Sequence, residues 1–154
     1  MSETLFTKII AGKVPCHRIY EDEQTFAFLD IEPLAPGHTL LVPKEPAATL
    51  DALSDAAAAA LGRALPRLCR AIMVATRSDA YNVLQNNGSK AGQSVHHVHF
   101  HIVPRLSPSQ GLQVMWRPVP EQPDALPDVA DRISAALQTT ATAPRPGAPA
   151  GSAG

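Results

Sequence analysis

The chain has 154 residues, 45% of them apolar, which is room for one ordinary domain with its own core. A formal net charge of −1 argues against the basic footprint that duplex nucleic acid or an anionic membrane surface demands. Two distant cysteines, Cys16 and Cys69, demand no disulfide and fit a reducing compartment. Met1-Ser2-Glu3-Thr4 lacks the basic start of a secretory leader, and the apolar stretch Ala56 to Ala75 is interrupted by Arg63, Pro66, Arg67 and Arg70. The expectation is a cytoplasmic protein with no nucleic-acid or membrane partner.

In chain order, Leu5 to Ile10 reads as a short helix closed by Ala11-Gly12, with Gly12 suited to a left-handed cap. Arg18-Ile19-Tyr20 and Thr25 to Leu29 read as a hairpin around the acidic turn Glu21-Asp22-Glu23. Asp30 opens a loop punctuated by Pro33, Pro36 and Gly37, and His38 to Val42 reads as the next strand, stopped by Pro43. Ser54 is a fair N-cap for a long helix running to about Ser78, with Leu61, Leu65, Leu68, Ile72 and Ala75 at three- and four-residue spacings. Pro66 lies within that helix and is expected to bend or split it. Tyr81 to Gln85 is a further strand, Asn86 to Gly92 a turn-rich loop, and Val95 to Val103 the last strand, stopped by Pro104. Leu126 to Leu137 has helical periodicity, and residues 139–154 have almost nothing to bury and read as disordered. The order of elements suggests an α+β fold with an antiparallel sheet.

Four of the six histidines, His96, His97, His99 and His101, fall within six residues. On a strand, His97, His99 and His101 share one face, while His96 shares the other with Val98, Phe100 and Ile102. The second set is the expected core side, leaving three imidazoles about 6.8 Å apart along a surface groove roughly 13 Å long. Imidazole is nucleophilic near neutral pH, shuttles protons and donates hydrogen bonds to developing negative charge, which suits attack on phosphorus. Two other readings of the row are a solvated polar strand face and a zinc site, with His38 as a fourth ligand. Zinc requires convergent ligands about 2 Å away, and a straight row of same-face residues supplies that poorly.

The run His97-Val98-His99-Phe100-His101-Ile102-Val103 resembles the signature of the histidine triad (HIT) superfamily, extended upstream by Gly92-Gln93-Ser94-Val95-His96. Further blocks resemble it in order: Leu5 to Gly12, Phe28-Leu29-Asp30-Ile31, Pro36 to Lys44, and Asn86-Asn87-Gly88. The resemblance covers about residues 4–104, with a C-terminal extension over 105–138, and Trp116 resembles a tryptophan near the end of Hint-like members. It implies a HIT-like fold: a five-stranded antiparallel sheet with a long helix, two subunits pairing into a ten-stranded sheet with the helix from Ser54 at their interface. It implies a purine nucleotide substrate cleaved at the α-phosphate without a cofactor. His99 is then the nucleophile, its Nδ1 proton held by the His97 carbonyl, with His101 and His38 beside the phosphate. Gln93, Ser94 and Asn86 are implied as contacts of phosphate or leaving group. Asp30 is implied for the ribose hydroxyls, and Phe6, Ile9 and Ile31 for the base. Cys16, Cys69, His17 and Tyr81 are left as structural or surface residues.

The chain departs from zinc-binding relatives, reading Thr4-Leu5-Phe6-Thr7 where they carry a C-x-x-C and Glu45-Pro46-Ala47 where a histidine often follows Pro-Lys. No structural metal is expected. Three activities follow from the resemblance: hydrolysis of nucleoside 5′-phosphoramidates, Fhit-like cleavage of dinucleoside polyphosphates, or nucleotide binding as an interaction module with little turnover. Trp116 and the N-terminal block favour the first.

Overall fold

The computed structural model describes residues 3–113 and 126–140. These belong to two units divided between Gln113 and Val114. The second is represented by one helix, α3 (Leu126–Thr140), which has no buried residue. It extends three residues past the expected end, into the start of the segment read as disordered. Trp116 and residues 141–154 of that segment lie outside the described residues.

The first unit opens with α1 (Leu5–Ile10), followed by β1 (Arg18–Glu21), β2 (Thr25–Leu29) and β3 (Thr39–Pro43). Then come α2 (Asp55–Thr76), β4 (Tyr81–Gln85) and β5 (Phe100–Pro104). The strands form one antiparallel sheet in the order β1-β2-β3-β5-β4. This is the α+β architecture expected.

Local chemistry explains most of the boundaries. Thr4 caps α1 by accepting from the Thr7 amide at 3.1 Å, while the Thr7 hydroxyl donates back to the Thr4 carbonyl at 2.8 Å. Hydrogen bonds thus engage both Thr4 and Thr7. Ser54 caps α2 through the Ala57 amide, and Glu45 accepts from both the Ser54 amide (2.8 Å) and its hydroxyl (2.6 Å). Asp22 closes the β1–β2 turn by accepting from the amides of Gln24 and Thr25.

Pro66 does not split α2, which is one 22-residue helix. Pro66 faces solvent, where water can satisfy the freed carbonyl of Gly62, and buried Ala64 and Leu68 hold the helix to the sheet on either side of it.

Both faces of the sheet are covered. One presents Ala27, Leu41 and Ile102, joined by Val98 from the segment before β5, to the apolar stripe of α2, including Leu61, Leu68 and Ile72. The other presents Phe26, Phe28, Leu40 and Val42 to Phe6 and Ile9 of α1. Each fully buried side chain of this size contributes about 1.5–3 kcal/mol.

The expected last strand starts late. Val95 to His99 lie outside the ladder, with the His97 amide bonded to the Val95 carbonyl and the Val98 amide to the Ala47 carbonyl. Partners outside the sheet claim this backbone, and only from Phe100 onward does it pair with β3 and β4.

Candidate active site

A pocket of about 430 Å³ opens on the α1 side of the sheet. Its floor comes from the end of β2 and its loop (Asp30), the start of β3 (His38) and the histidine segment (His99, His101). Phe6, Ile9 and Ile31 supply apolar lining, and Asn86 and Ser94 line it as well. Eight of the proposed residues therefore line one cavity together with His38. His97 and Gln93 do not line it.

His97 is a correction to the picture of a surface groove. It is 1% exposed, packed edge-on against Phe6, with its ring Nε2 donating to the Pro43 carbonyl at 2.9 Å. That carbonyl ends β3, so the imidazole takes the bond that a longer ladder would have made. His97 Nδ1 is buried without a partner. His99 is also buried, with its ring 5.0 Å from Phe6. The row lies beneath α1 because the α1 aromatic covers it, a long-range contact invisible in the spacing of the histidines. His96, grouped with the core-facing residues, is exposed.

The hydrogen bonds fix the proton on each ring. His99 Nδ1 lies 2.7 Å from the His97 carbonyl oxygen, which can only accept, so Nδ1 carries the proton and Nε2 keeps its lone pair. His38 Nδ1 accepts from the Leu34 amide at 3.1 Å, so in the neutral ring Nε2 carries the proton. His38 Nε2 is 2.9 Å from His101 Nδ1, which must therefore accept, leaving the His101 proton on Nε2. Burial pushes all four imidazoles below their ordinary value, His101 to about 4, where His99 and His38 add to the effect. At neutral pH the cluster is uncharged: His99 offers a nucleophilic nitrogen and His101 a donor.

The β2–β3 loop places His38. The Asp30 amide bonds to the His38 carbonyl at 2.9 Å, and the His38 amide to Ala35 at 3.0 Å. Asp30 Oδ2 lies 3.6 Å from His38 Nε2, while Oδ1 accepts from the Glu32 amide. Donor atoms of Asp30, His38 and His101 fall within 4.8 Å of one another, so a cation could be held there only by displacing the proton shared between the two histidines.

Gln93 is buried and committed to backbone. It accepts from the Gly88 amide and donates to the Ala48 carbonyl, both at 2.7 Å. It ties the Asn86–Gly92 loop to the chain before α2, and so shapes the part of the lining that Asn86 and Ser94 supply.

Cys16, taken as structural or surface, lines the pocket beside Val14 and Pro15, because the chain leaving α1 folds back along it. Leu34, from the proline-punctuated loop, also lines it and is 48% exposed. An apolar residue in a turn was the available signal.

A small antiparallel sheet clamped between two helices, with a buried His99 imidazole and its partners His38 and His101 at the floor of a pocket, defines a class of small α+β proteins built around a histidine cluster. The HIT domain model matches residues 11–107, and the chain belongs to that family. It is 41% identical over 134 residues to adenosine 5′-monophosphoramidase hnt1 of Schizosaccharomyces pombe, covering 87% of this chain and 98% of that protein. It is 38% identical to protein hit of Bacillus subtilis, covering 88% and 95%. A HIT family crystal structure from Bacillus subtilis superposes with a TM-score of 0.83 at 38% identity, covering 87% and 96%. The histidine triad nucleotide-binding protein of Candida albicans gives 0.81 at 32%, covering 89% and 99%.

Proposed function

We propose that the protein hydrolyses purine nucleoside 5′-phosphoramidates through a nucleotidyl intermediate on His99. The observation that carries this is the 2.7 Å contact from His99 Nδ1 to the His97 carbonyl, which leaves Nε2 unprotonated at the pocket. His99 Nε2 bonds to the α-phosphorus as the P–N bond breaks, and the amine leaves with the electron pair and takes up a proton from solvent, which the attacking water of the second step gives back. Water then attacks the same phosphorus, the P–Nε2 bond breaks, and the nucleoside monophosphate and free His99 are released. The Nε2–H of His101, the Ser94 hydroxyl and the Asn86 amide are neutral donors for phosphate oxygens. Asp30 suits ribose hydroxyls, and Phe6, Ile9 and the exposed Ile31 suit a purine face.

Among the described residues, the pocket lining contains Asp30 and Glu32 but no lysine or arginine. That charge pattern favours the singly charged phosphorus of a phosphoramidate over a dinucleoside polyphosphate, whose several charges call for cations. The adenosine 5′-monophosphoramidase names of relatives from Schizosaccharomyces pombe and Saccharomyces cerevisiae support the same choice. A homodimer joined at β4 is our reading of the assembly, supported by the exposure of Tyr81 and Val83 on that edge strand. Two free thiols fit a cytoplasmic setting, and no helix among the described residues is long and apolar enough to cross a membrane.

The test is AMP release from an adenosine phosphoramidate in the presence of chelator. Wild type should turn over, and His99→Ala should lose at least about 1,000-fold in kcat/KM. Equal rates in the two proteins would refute a His99 nucleophile, and an inert wild type would refute the phosphoramidase reading.

A further inference from the structure

The turn after β5 reaches back to the site through a chain of bonds that the chemistry above does not use. Arg105 bends its guanidinium over this turn, donating to the Leu112 carbonyl at 3.0 Å and the Pro108 carbonyl at 3.2 Å. Arg105 is itself anchored, its amide on the Ala80 carbonyl and its own carbonyl accepting from Ser78. The turn then delivers the buried Gly111 amide to the Leu34 carbonyl at 3.1 Å. Leu34 is the residue whose amide donates to His38 Nδ1.

Gly111 has φ +101°, and a Cβ there would stand 3.1 Å from the Pro104 carbonyl oxygen, so the close approach requires glycine. Leu34 is thereby held at its carbonyl by Gly111, while its amide, in the preceding peptide plane, is spent on the imidazole. If the Leu34 amide swings away, His38 Nδ1 loses its donor, and only the Asp30 carboxylate, 3.6 Å from Nε2, still favours a proton there. The direction of the bond to His101 is then no longer fixed, because a His38 ring protonated at Nδ1 presents a bare Nε2, which His101 can meet only by carrying its own proton on Nδ1 instead of Nε2.

We propose that Arg105 and Gly111 are positioning residues for the His38–His101 pair, holding the turn after β5 against Leu34 so that one tautomer of each ring is populated. The link to catalysis rests on the proposed phosphoramidase reading, whereas the tautomers themselves do not. The chemical logic is that a donor to phosphate must present the same hydrogen in every molecule, and a mixture of tautomers dilutes it.

The experiment is 15N imidazole NMR on the full chain, comparing wild type with Arg105→Ala and Gly111→Ala, alongside AMP release and thermal melts. In wild type, His38 and His101 should both show unprotonated Nδ1 and protonated Nε2. In either variant the His38 nitrogens should move towards averaged shifts, and kcat should fall about 10-fold. Variants that melt earlier yet keep wild-type tautomers and kcat would overturn the proposal, because the clamp would then be merely structural. Should both variants unfold, hydrogen exchange on wild type reads the same link. The Gly111 and Leu34 amides must open together, and independent exchange would overturn the proposal. An inert wild type with both tautomers as described would overturn the phosphoramidase reading and leave the clamp standing.

Discussion

Val98 and His99 are neighbours in sequence and both are buried, yet they face opposite sides of the sheet and are buried for different reasons. Val98 joins Ile102, Leu41 and the stripe of α2, a region stabilised by removing apolar surface from water. His97 and His99 lie under α1 beside Phe6, where each imidazole is tolerated because its N–H donates to a backbone carbonyl, although His97 Nδ1 is left without a partner. The α2 face can thus accept any shape-compatible apolar set. The α1 face stores directional information, namely which nitrogen holds a proton. The candidate site sits on the side that burial makes expensive.

The sharpest break between the two faces is made on the α2 side. Ile102→Ala should cost about 2–5 kcal/mol, since the side chain is wholly buried. Measured by chemical denaturation, that loss should leave turnover per folded molecule close to wild type, because no Ile102 atom lines the pocket. A comparable loss of kcat in the folded fraction would show that the two faces are mechanically coupled.

The faces also differ in how much of them could be read from the sequence. The α2 side was largely legible: the Ser54 cap, the three- and four-residue spacing and the short apolar runs of β2 and β3 are local signals. The β1–β2 hairpin and β4 were legible for the same reason. On the α1 side the residues of the site were legible, through the histidine pattern and the family it resembles, but their environment was not. The burial of His97 depends on Phe6, some ninety residues upstream, and the late start of β5 depends on the Ala47 carbonyl. Gln93 shows the same limit. Its type suits a phosphate contact, and only the folded chain reveals that its amide is already engaged by Gly88 and Ala48.

Acid should separate the faces next. The folded value of His101, about 4, lies below the ordinary 6.5, so as pH falls the unfolded chain takes up its proton first. Stability from this group is therefore fully present above about 6.5 and is lost as pH drops from there towards 4, by on the order of 3 kcal/mol. His38, His97 and His99 are displaced in the same direction and steepen the slope. Denaturation midpoints between pH 7.5 and 4.5 should fall accordingly, and His101→Phe should flatten the curve. A curve unchanged by that substitution would mean that other groups govern acid sensitivity.

The smallest expected effect concerns the joint between the faces, where the loop carrying His38 meets the end of α2. Gly37 has φ +88°, and a Cβ placed there would lie 2.5 Å from Thr76 Cγ2. Thr76 cannot swing aside freely, because its hydroxyl is bonded to the Ile72 carbonyl at 2.8 Å. Gly37→Ala therefore combines a backbone penalty of about 1 kcal/mol with a steric one, for a total of about 1–3 kcal/mol in denaturant. The substitution should also disturb the site, because His38 follows directly and its amide is fixed to Ala35 within the same turn. The pairing of a modest stability loss with a clear fall in kcat is what distinguishes this joint from Ile102. If Gly37→Ala melts early but turns over normally, the loop absorbs the strain before it reaches His38. The imidazoles would then be held from the β5 side alone, through the His97 carbonyl.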